Sequence, residues 1–460
     1  MSTITTSSSS APWRARGSRW IRRFWAPLLL VLVSVGYSGT VTILHTEALS
    51  PIDEWVYVDY LYKVPSQAIV FEGEVVGDET LSLLACEGTS PFGPIGPPCA
   101  DEFDSTSEFP NEGVTSAAPY TPLYFASTRV VGDIIRAATG LEQVESWRLT
   151  STLWLAVSMV MFWLLLRQWA IRDSTIVVVG LAFIASPFAF WTYTYVSTDA
   201  PSFFFGALML YLAVSYVRGE KSGWWIPLVA TLGVLVKVTN VLALWLVGIY
   251  LIITFLREVR TTTWSGLSTR RPHFPERHSL ALLGFPLVSA ALSVGGALLW
   301  LRAVTAMAVS PLRADQGVAT TLTPNELLSQ FTNFLPGTIV SSPISTFIPG
   351  FTYTPLTWMC VAGVVGAFWY FSSREEPSSI VLAVTIAAAF FAPLLAVVLQ
   401  VITGSYFVLP SRYGATVLPG ILLLCGLMLR SRSGHWLVAG YAIALLGLGI
   451  WLSGLLAELA

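Results

Sequence analysis

The chain predicts an all-α polytopic membrane protein with about 11 transmembrane helices and one large extracytoplasmic loop near its start. Three observations lead there. Of its 460 residues 54% are apolar and only 11% are charged, a composition that excludes a soluble domain. Apolar stretches recur at about the 20-residue length that a ~30 Å hydrocarbon core demands. Between the first two of them lies a loop, residues 46–147, holding 17 of the 27 acidic residues, so it must be solvated.

The stretches lie near 24–45, 149–166, 175–195, 200–217, 224–237, 239–256, 279–301, 354–372, 380–402, 414–429 and 436–456. Residues 1–23 read as a disordered basic cytoplasmic tail, and 24–460 as one transmembrane domain. The first stretch is longer than a signal core and no small-residue cleavage site follows it, so it reads as a retained anchor. The 33 residues of 224–256 are too many for one helix and few for two. A break at Lys237-Val238-Thr239-Asn240 resolves this, provided protein or a cavity satisfies its polar groups.

Basic residues set the orientation. With the N-terminus in the cytoplasm, 17 of the 25 Lys and Arg fall on the inner side. The long first loop and a second, 303–353, then face outward, and so does the C-terminus. The protein is expected in the plasma membrane, of the bacterial inner-membrane type, with the lipid bilayer as its permanent partner.

Within the first loop, Ser50-Pro51 looks like a helix start, with Asp53 in the capping position three residues on. That helix would run to about Lys63 along the membrane surface, with Ile52, Trp55, Val56 and Tyr60 on its apolar face. Asp59 and Lys63 form a solvated i,i+4 pair, and a short hairpin is expected near 68–76. Cys86 and Cys99 share the loop and an oxidising compartment, so a disulfide is expected; Cys360 and Cys425 lie in spans. In the second loop, Thr323, Pro324 and Glu326 spell a capping box opening an amphipathic helix.

The longest inner loop, 257–278, is too short to hold a nucleotide-binding domain, and no phosphate-binding glycine motif or zinc spacing occurs. Any activated substrate must arrive through the membrane or from outside, and nothing suggests a nucleic-acid partner. The acids and cations of the outer face are therefore the candidate site. Asp53, in SPIDEWVYVDYLYK, is either a cap or a general base, with Glu54 beside it as partner or solvated acid. Asp199, in STDAPSFFF, either caps the fourth span or holds an acceptor hydroxyl or a metal opposite Asp53. Lys237 lies deep between two spans, where an unpaired lysine is costly. Arg302, Arg412 and Tyr413 face outward, where they could bind a phosphate or simply anchor the interface.

Taken in order, five strings resemble the GT-C superfamily of polytopic membrane glycosyltransferases. They are PIDEWVYVDYLY, PYTPLYF (with Thr121 where proline is usual), Trp147-Arg148-Leu149, STDAPSFF and VKVTNVLALW, spread over residues 51–245. The resemblance implies a hexosyl or pentosyl transfer from a polyprenyl-phosphate-linked sugar to a hydroxyl of an envelope glycan, lipid or protein. It makes Asp53 the base, with Glu54 nearby. Arg148, Asp199 and Lys237 fall within these strings and, with the outer-facing Arg302, Arg412 and Tyr413, are the expected substrate-binding residues. Some relatives use a divalent metal, Mg or Mn, but this chain has no D-x-D string. Two other classes fit parts of the pattern: a transporter or flippase of lipid-linked or small polar substrates, and a non-catalytic envelope-assembly protein. The charge bias makes one expectation measurable: reporters fused at residue 100 and residue 460 should both read as extracytoplasmic, and a cytoplasmic reading at residue 100 would overturn the orientation.

Overall fold

The computed structural model describes residues 13–44, 48–266, 277–312, 320–342, 349–371, 377–404 and 406–459. The chain begins with α1 (Trp13–Leu44), followed in the first loop by α2 (Glu54–Gln67), α3 (Asp78–Cys86) and α4 (Pro122–Thr139). Then come α5 (Gln143–Arg167), α6 (Asp173–Ile184), α7 (Pro187–Tyr193), α8 (Ser202–Val217), α9 (Trp225–Val236), α10 (Val241–Gly266) and α11 (Arg277–Ala306). The second loop carries α12 (Pro324–Gly337), and α13 (Thr354–Tyr370), α14 (Pro377–Thr403), α15 (Leu418–Met428) and α16 (Arg432–Leu459) complete the chain.

Helix covers every apolar stretch read from the sequence. Six helices are long and apolar enough to cross a membrane, or seven if the bent pair α6–α7 is one span, while α8, α9 and α15 are shorter apolar helices. The chain is an integral multi-pass membrane protein. Helix α1 begins at Trp13, inside the segment expected to be a tail; residues 1–12 lie outside the described residues.

Two interruptions in the helices shape the interior. Between α6 and α7 the chain bends by 67°. There Ser186 accepts from the Ala189 N–H at 3.1 Å and Pro187 occupies the first helical position, where its missing donor is harmless. The second interruption falls where the sequence placed it. Helix α9 stops at Val236, Lys237 is extended, and residues 238–240 form one 3₁₀ turn before α10. The Gly233 carbonyl, freed by this stop, accepts from the Lys237 N–H at 3.0 Å and from Asn240 Nδ2 at 2.9 Å. With 12 residues, α9 spans only about 18 Å at ~1.5 Å per residue, well short of a ~30 Å core. Lys237 is therefore presented from a recess.

The first loop departs from expectation. Its helix starts at Glu54, one turn later than read, and continues to Gln67. Instead of lying on the membrane surface, α2 is buried from Glu54 to Leu61, covered by α3, α4 and the segment near Phe109–Ala118. Tyr60 stacks on Phe125 of α4 with centroids 3.9 Å apart. Asp59 is buried rather than solvated: it pairs with Lys63 at 3.0 Å and accepts from the Gly77 N–H at 2.8 Å. No hairpin forms at 68–76. Turns replace it, and Val75 makes an isolated bridge to Val114.

Cys86 and Cys99 form the expected disulfide, with Cα atoms 4.6 Å apart. The loop it closes doubles back onto the chain just before α2. Leu49 N–H donates to the Gly88 carbonyl at 2.9 Å, and Ser90 N–H donates to the Leu49 carbonyl at 2.8 Å. Gly88 has positive φ, and the Gly93 backbone stands where its Cβ would be, so no other residue fits. In the second loop the capping box is present at Thr323 and Glu326, and α12 packs on α13 and α14.

A buried ion pair ties the loop to the helical body. Glu54 and Arg148 are both essentially inaccessible. Arg148 Nε donates to Glu54 Oε1 at 2.9 Å and its second amino group to Oε2 at 3.0 Å. Removing one partner of such a pair costs about 3–5 kcal/mol, because the other charge is left uncompensated. Arg148→Met should therefore lower the unfolding midpoint sharply in a thermal melt, and adding Glu54→Gln should recover much of the loss. Non-reducing peptide mass spectrometry of the same preparation should recover Cys86 and Cys99 as one linked species; free thiols at both would contradict the loop structure.

Candidate active site

Four segments far apart in sequence converge at the end of the molecule that carries the first loop. The first contributes Asp53. This residue occupies the N-cap position of α2 with φ 55°, ψ 4°, and its side chain makes no capping bond. A left-handed non-glycine residue is uncommon, although Asp tolerates it better than most. The capping role allowed by the sequence is thus not performed by Asp53. Glu54, the first residue of α2, reaches back to accept from the Ser50 N–H at 2.6 Å.

Freed from the helix end, the Asp53 carboxylate meets Arg412, whose amino group donates to Oδ2 at 3.2 Å. Arg412 sits in the 3₁₀ segment Ser411–Thr416 between α14 and α15. Its Nε lies 3.4 Å from Asp199 Oδ2. Asp199 belongs to the turn before α8, and its other oxygen accepts from Lys237 Nζ at 2.6 Å. Carboxylate and cation therefore alternate along one ladder: Asp53, Arg412, Asp199, Lys237. From Lys237 the chain of contacts returns to α2. Nζ donates to Thr198 Oγ1 at 3.1 Å, Thr198 donates to the Tyr57 hydroxyl at 3.2 Å, and Tyr57 meets the Tyr120 hydroxyl at 3.1 Å.

The electrostatics follow from burial. Asp199 and Lys237 are almost wholly buried, whereas the Asp53 side chain is 32% exposed. Burial works against the Arg412 charge, but Asp199 and Asp53 outweigh it and hold its pKa above the ordinary value, so it stays cationic. Burial, helped by Tyr120 and Asp53, pushes the Tyr57 phenol well above its usual range, leaving a neutral hydroxyl. Asp53 Oδ1 makes no hydrogen bond to any described residue.

Beside the ladder is a cavity of about 200 Å³ whose lining includes Tyr120, Leu235, Lys237, Trp300 and Tyr413. It lies where α4, α9 and α11 meet. Thr121, the departure from proline in PYTPLYF, closes one wall: its hydroxyl donates to the Leu235 carbonyl at the end of α9 while capping α4. The Tyr413 ring faces Lys237 Nζ at 5.8 Å and the Arg412 guanidinium at 5.6 Å.

Of the residues singled out from the sequence, Asp53, Asp199, Lys237, Arg412 and Tyr413 come together. Asp199 does not cap α8, which begins at Ser202 after Pro201. Glu54 and Arg148 stand apart. Glu54 accepts four hydrogen bonds: two from Arg148, one from Ser50, and one from the Val196 N–H at 2.8 Å. That matches the roughly four lone-pair sites of a carboxylate, leaving none for a substrate proton. Arg302 is exposed near the end of α11 and joins no ion pair among the described residues. Sequence reasoning missed Tyr57, Tyr120 and Thr198. Tyr57 was within reach, since it lies four residues after Asp53 on one helix face.

Asp53 and Asp199 are a poor donor set for a divalent metal. Each is already neutralised by a protein cation, and among the described residues no three His, Cys, Asp or Glu side chains converge as ligands.

The family model described as dolichyl-phosphate-mannose-protein mannosyltransferase matches residues 130–268. No curated protein matches the sequence. Two solved structures of the Archaeoglobus fulgidus oligosaccharyltransferase are similar. The apo form aligns at 14% identity and TM-score 0.44, covering 95% of this chain and 56% of that one. The form tethered through a disulfide to an acceptor peptide with the NVT sequon aligns at 15% identity and TM-score 0.43, covering 96% and 55%. The chain thus spans little more than half the length of those structures. The family match covers less than a third of the chain and encloses Arg148, Asp199 and Lys237, so over that stretch the chain is similar to this family of membrane mannosyltransferases.

Proposed function

We propose that the protein transfers a hexosyl or pentosyl group from a polyprenyl-phosphate donor to a hydroxyl of an envelope glycan, lipid or protein on the outer membrane face, with Asp53 as general base. One observation carries the reading. The ladder Asp53–Arg412–Asp199–Lys237 places a partly exposed carboxylate within one guanidinium of a buried ammonium, and that ammonium lines a cavity.

In this mechanism Asp53 Oδ1 accepts the proton of the acceptor hydroxyl as its oxygen attacks the anomeric carbon. The bond from that carbon to the phosphate oxygen breaks, its electron pair leaves with the polyprenyl phosphate, and Arg412 and Lys237 stabilise the anion. Asp199 is not used as a base. It positions both cations, and Thr198 and Tyr57 fix Lys237 from the other side. The cavity beside Lys237 gives the donor a mixed aromatic and aliphatic wall next to the phosphate-binding groups. A transporter would place opposed charges at mid-membrane, whereas this ladder sits at helix ends.

Asp53→Asn removes the base without touching a cap, so turnover should fall by roughly 10²–10⁴-fold while the melting temperature barely moves. Near-normal kcat in that variant, assayed with a polyprenyl-phosphate sugar in proteoliposomes, would remove Asp53 as base. Arg412→Ala should instead raise the donor KM, since its contact with phosphate exists before and during the reaction. A purely kcat effect there would place Arg412 outside the donor site.

A further inference from the structure

A second polar cavity, of about 300 Å³, lies at the opposite end of the molecule. Helix α5 runs from the Glu54 clamp at Arg148 to Arg167, and the cavity opens just beyond it, at Trp169–Arg172. That is about 30 Å away at ~1.5 Å per residue, the thickness of a hydrocarbon core. Its lining comes from the α5–α6 turn, the end of α15 and the start of α16, and includes Arg172, Thr175, Arg430 and His435.

Two guanidinium groups and an imidazole line this cavity, and no carboxylate does. The Arg172 side chain makes no hydrogen bond or ion pair with any described residue, while its carbonyl accepts from the Ile176 N–H at 3.0 Å. Arg430 is fixed by its Nε–H, which donates to the Leu427 carbonyl at 3.2 Å, and by the Tyr370 ring, 4.9 Å from its guanidinium. No acid neutralises it among the described residues. The nearby acid, Asp173, does not line the cavity and is held by Trp163 at 3.1 Å and Arg167 at 3.2 Å. His435 is oriented from both sides. Its Nδ1 lies 2.7 Å from the Ser431 carbonyl, so that nitrogen carries a proton, and Nε2 meets the Thr175 hydroxyl at 2.7 Å.

We propose that this cavity binds a phosphate group, with Arg172 and Arg430 as its principal donors and Thr175 and His435 as the fixed floor. Its volume is about ten times the ~30 Å³ share of a water molecule, enough for a phosphate with part of its ester. Basic pockets between helix ends at a membrane face commonly take anionic lipid headgroups. A free phosphate satisfies the same donors, so the experiment must separate the sources. The site is independent of the transfer reaction proposed for the other face.

The test uses full-length protein in nanodiscs of phosphatidylcholine with graded phosphatidic acid. Retained lipid is read by native mass spectrometry, with and without millimolar inorganic phosphate. Arg172→Glu is the informative variant, because the Arg172 side chain has no described contact whose loss would disturb folding; Lys221→Glu, on the same face but outside the cavity, is the control. Phosphatidic acid affinity should weaken at least about tenfold in Arg172→Glu and stay near wild type in Lys221→Glu. If inorganic phosphate does not displace the lipid, the headgroup of a membrane lipid is the ligand. If it displaces the lipid from wild type, a free phosphate shares the site, and the proposal stands in that form. Equal retention by Arg172→Glu and Lys221→Glu, or no preference for phosphatidic acid over phosphatidylcholine, overturns it.

Discussion

The buried Glu54–Arg148 pair is the constraint on which the active-site end depends. It joins α2 to α5, and through the Val196 N–H it also holds the turn between α7 and α8. Arg148 adds a bond to the Ala48 carbonyl at 2.9 Å, fixing the chain as it enters the loop. One carboxylate thereby fixes three segments that must agree before Asp53 and Asp199 can share Arg412. A hydrophobic replacement could match its stability, but would not fix the relative placement of those backbones. The disulfide loop reinforces the same point by strapping Leu49 immediately upstream.

On this foundation the ladder solves a dielectric problem. A lysine and an aspartate buried near lipid are each expensive alone, and their pairing at 2.6 Å removes most of that cost. Extending the alternation outward to Arg412 and Asp53 moves from dry to wet along one line. The buried end can hold charge rigidly, and the exposed end can exchange partners with solvent or substrate. The short α9 and the break after Val236 create the recess that makes this gradient.

Much of this was legible in the sequence. The apolar stretches marked where helices form, and the polar run at Lys237–Asn240 marked the break, because lipid tolerates no irregular backbone without compensating partners. The ordered acidic and basic strings brought five of the site residues to notice. What was not legible was which of two adjacent acids would do which task. Asp53 and Glu54 differ by one residue, and the S-x-x-D pattern favoured Asp53 as the cap. At Asp53 the chain turns left-handed and leaves its carboxylate for Arg412, while Glu54 is taken by Ser50 and by Arg148, 94 residues downstream. The burial of α2 was equally hidden. Its aromatic face reads as a membrane-surface helix until Phe125 and the Phe109 segment arrive to cover it. Arg302 looked like its neighbours in charge and side, but its exposed helix end gives it no ion-pair partner among the described residues.

The ladder also has a history in time. Glu54 meets Arg148 across 94 residues, and Lys237 meets Asp199 across 38, but Asp53 waits for Arg412 across 359. During synthesis the two buried pairs can close while nearly half of the chain is still to be made. At about 5–20 residues per second, the roughly 175 residues from Lys237 to Arg412 take roughly ten to thirty-five seconds. Throughout that interval every charge committed to the interior already has its counter-ion, and the one left waiting is the one in water. The order of the sequence thus pairs the most deeply buried charges first, and the ladder becomes complete only when Arg412 arrives.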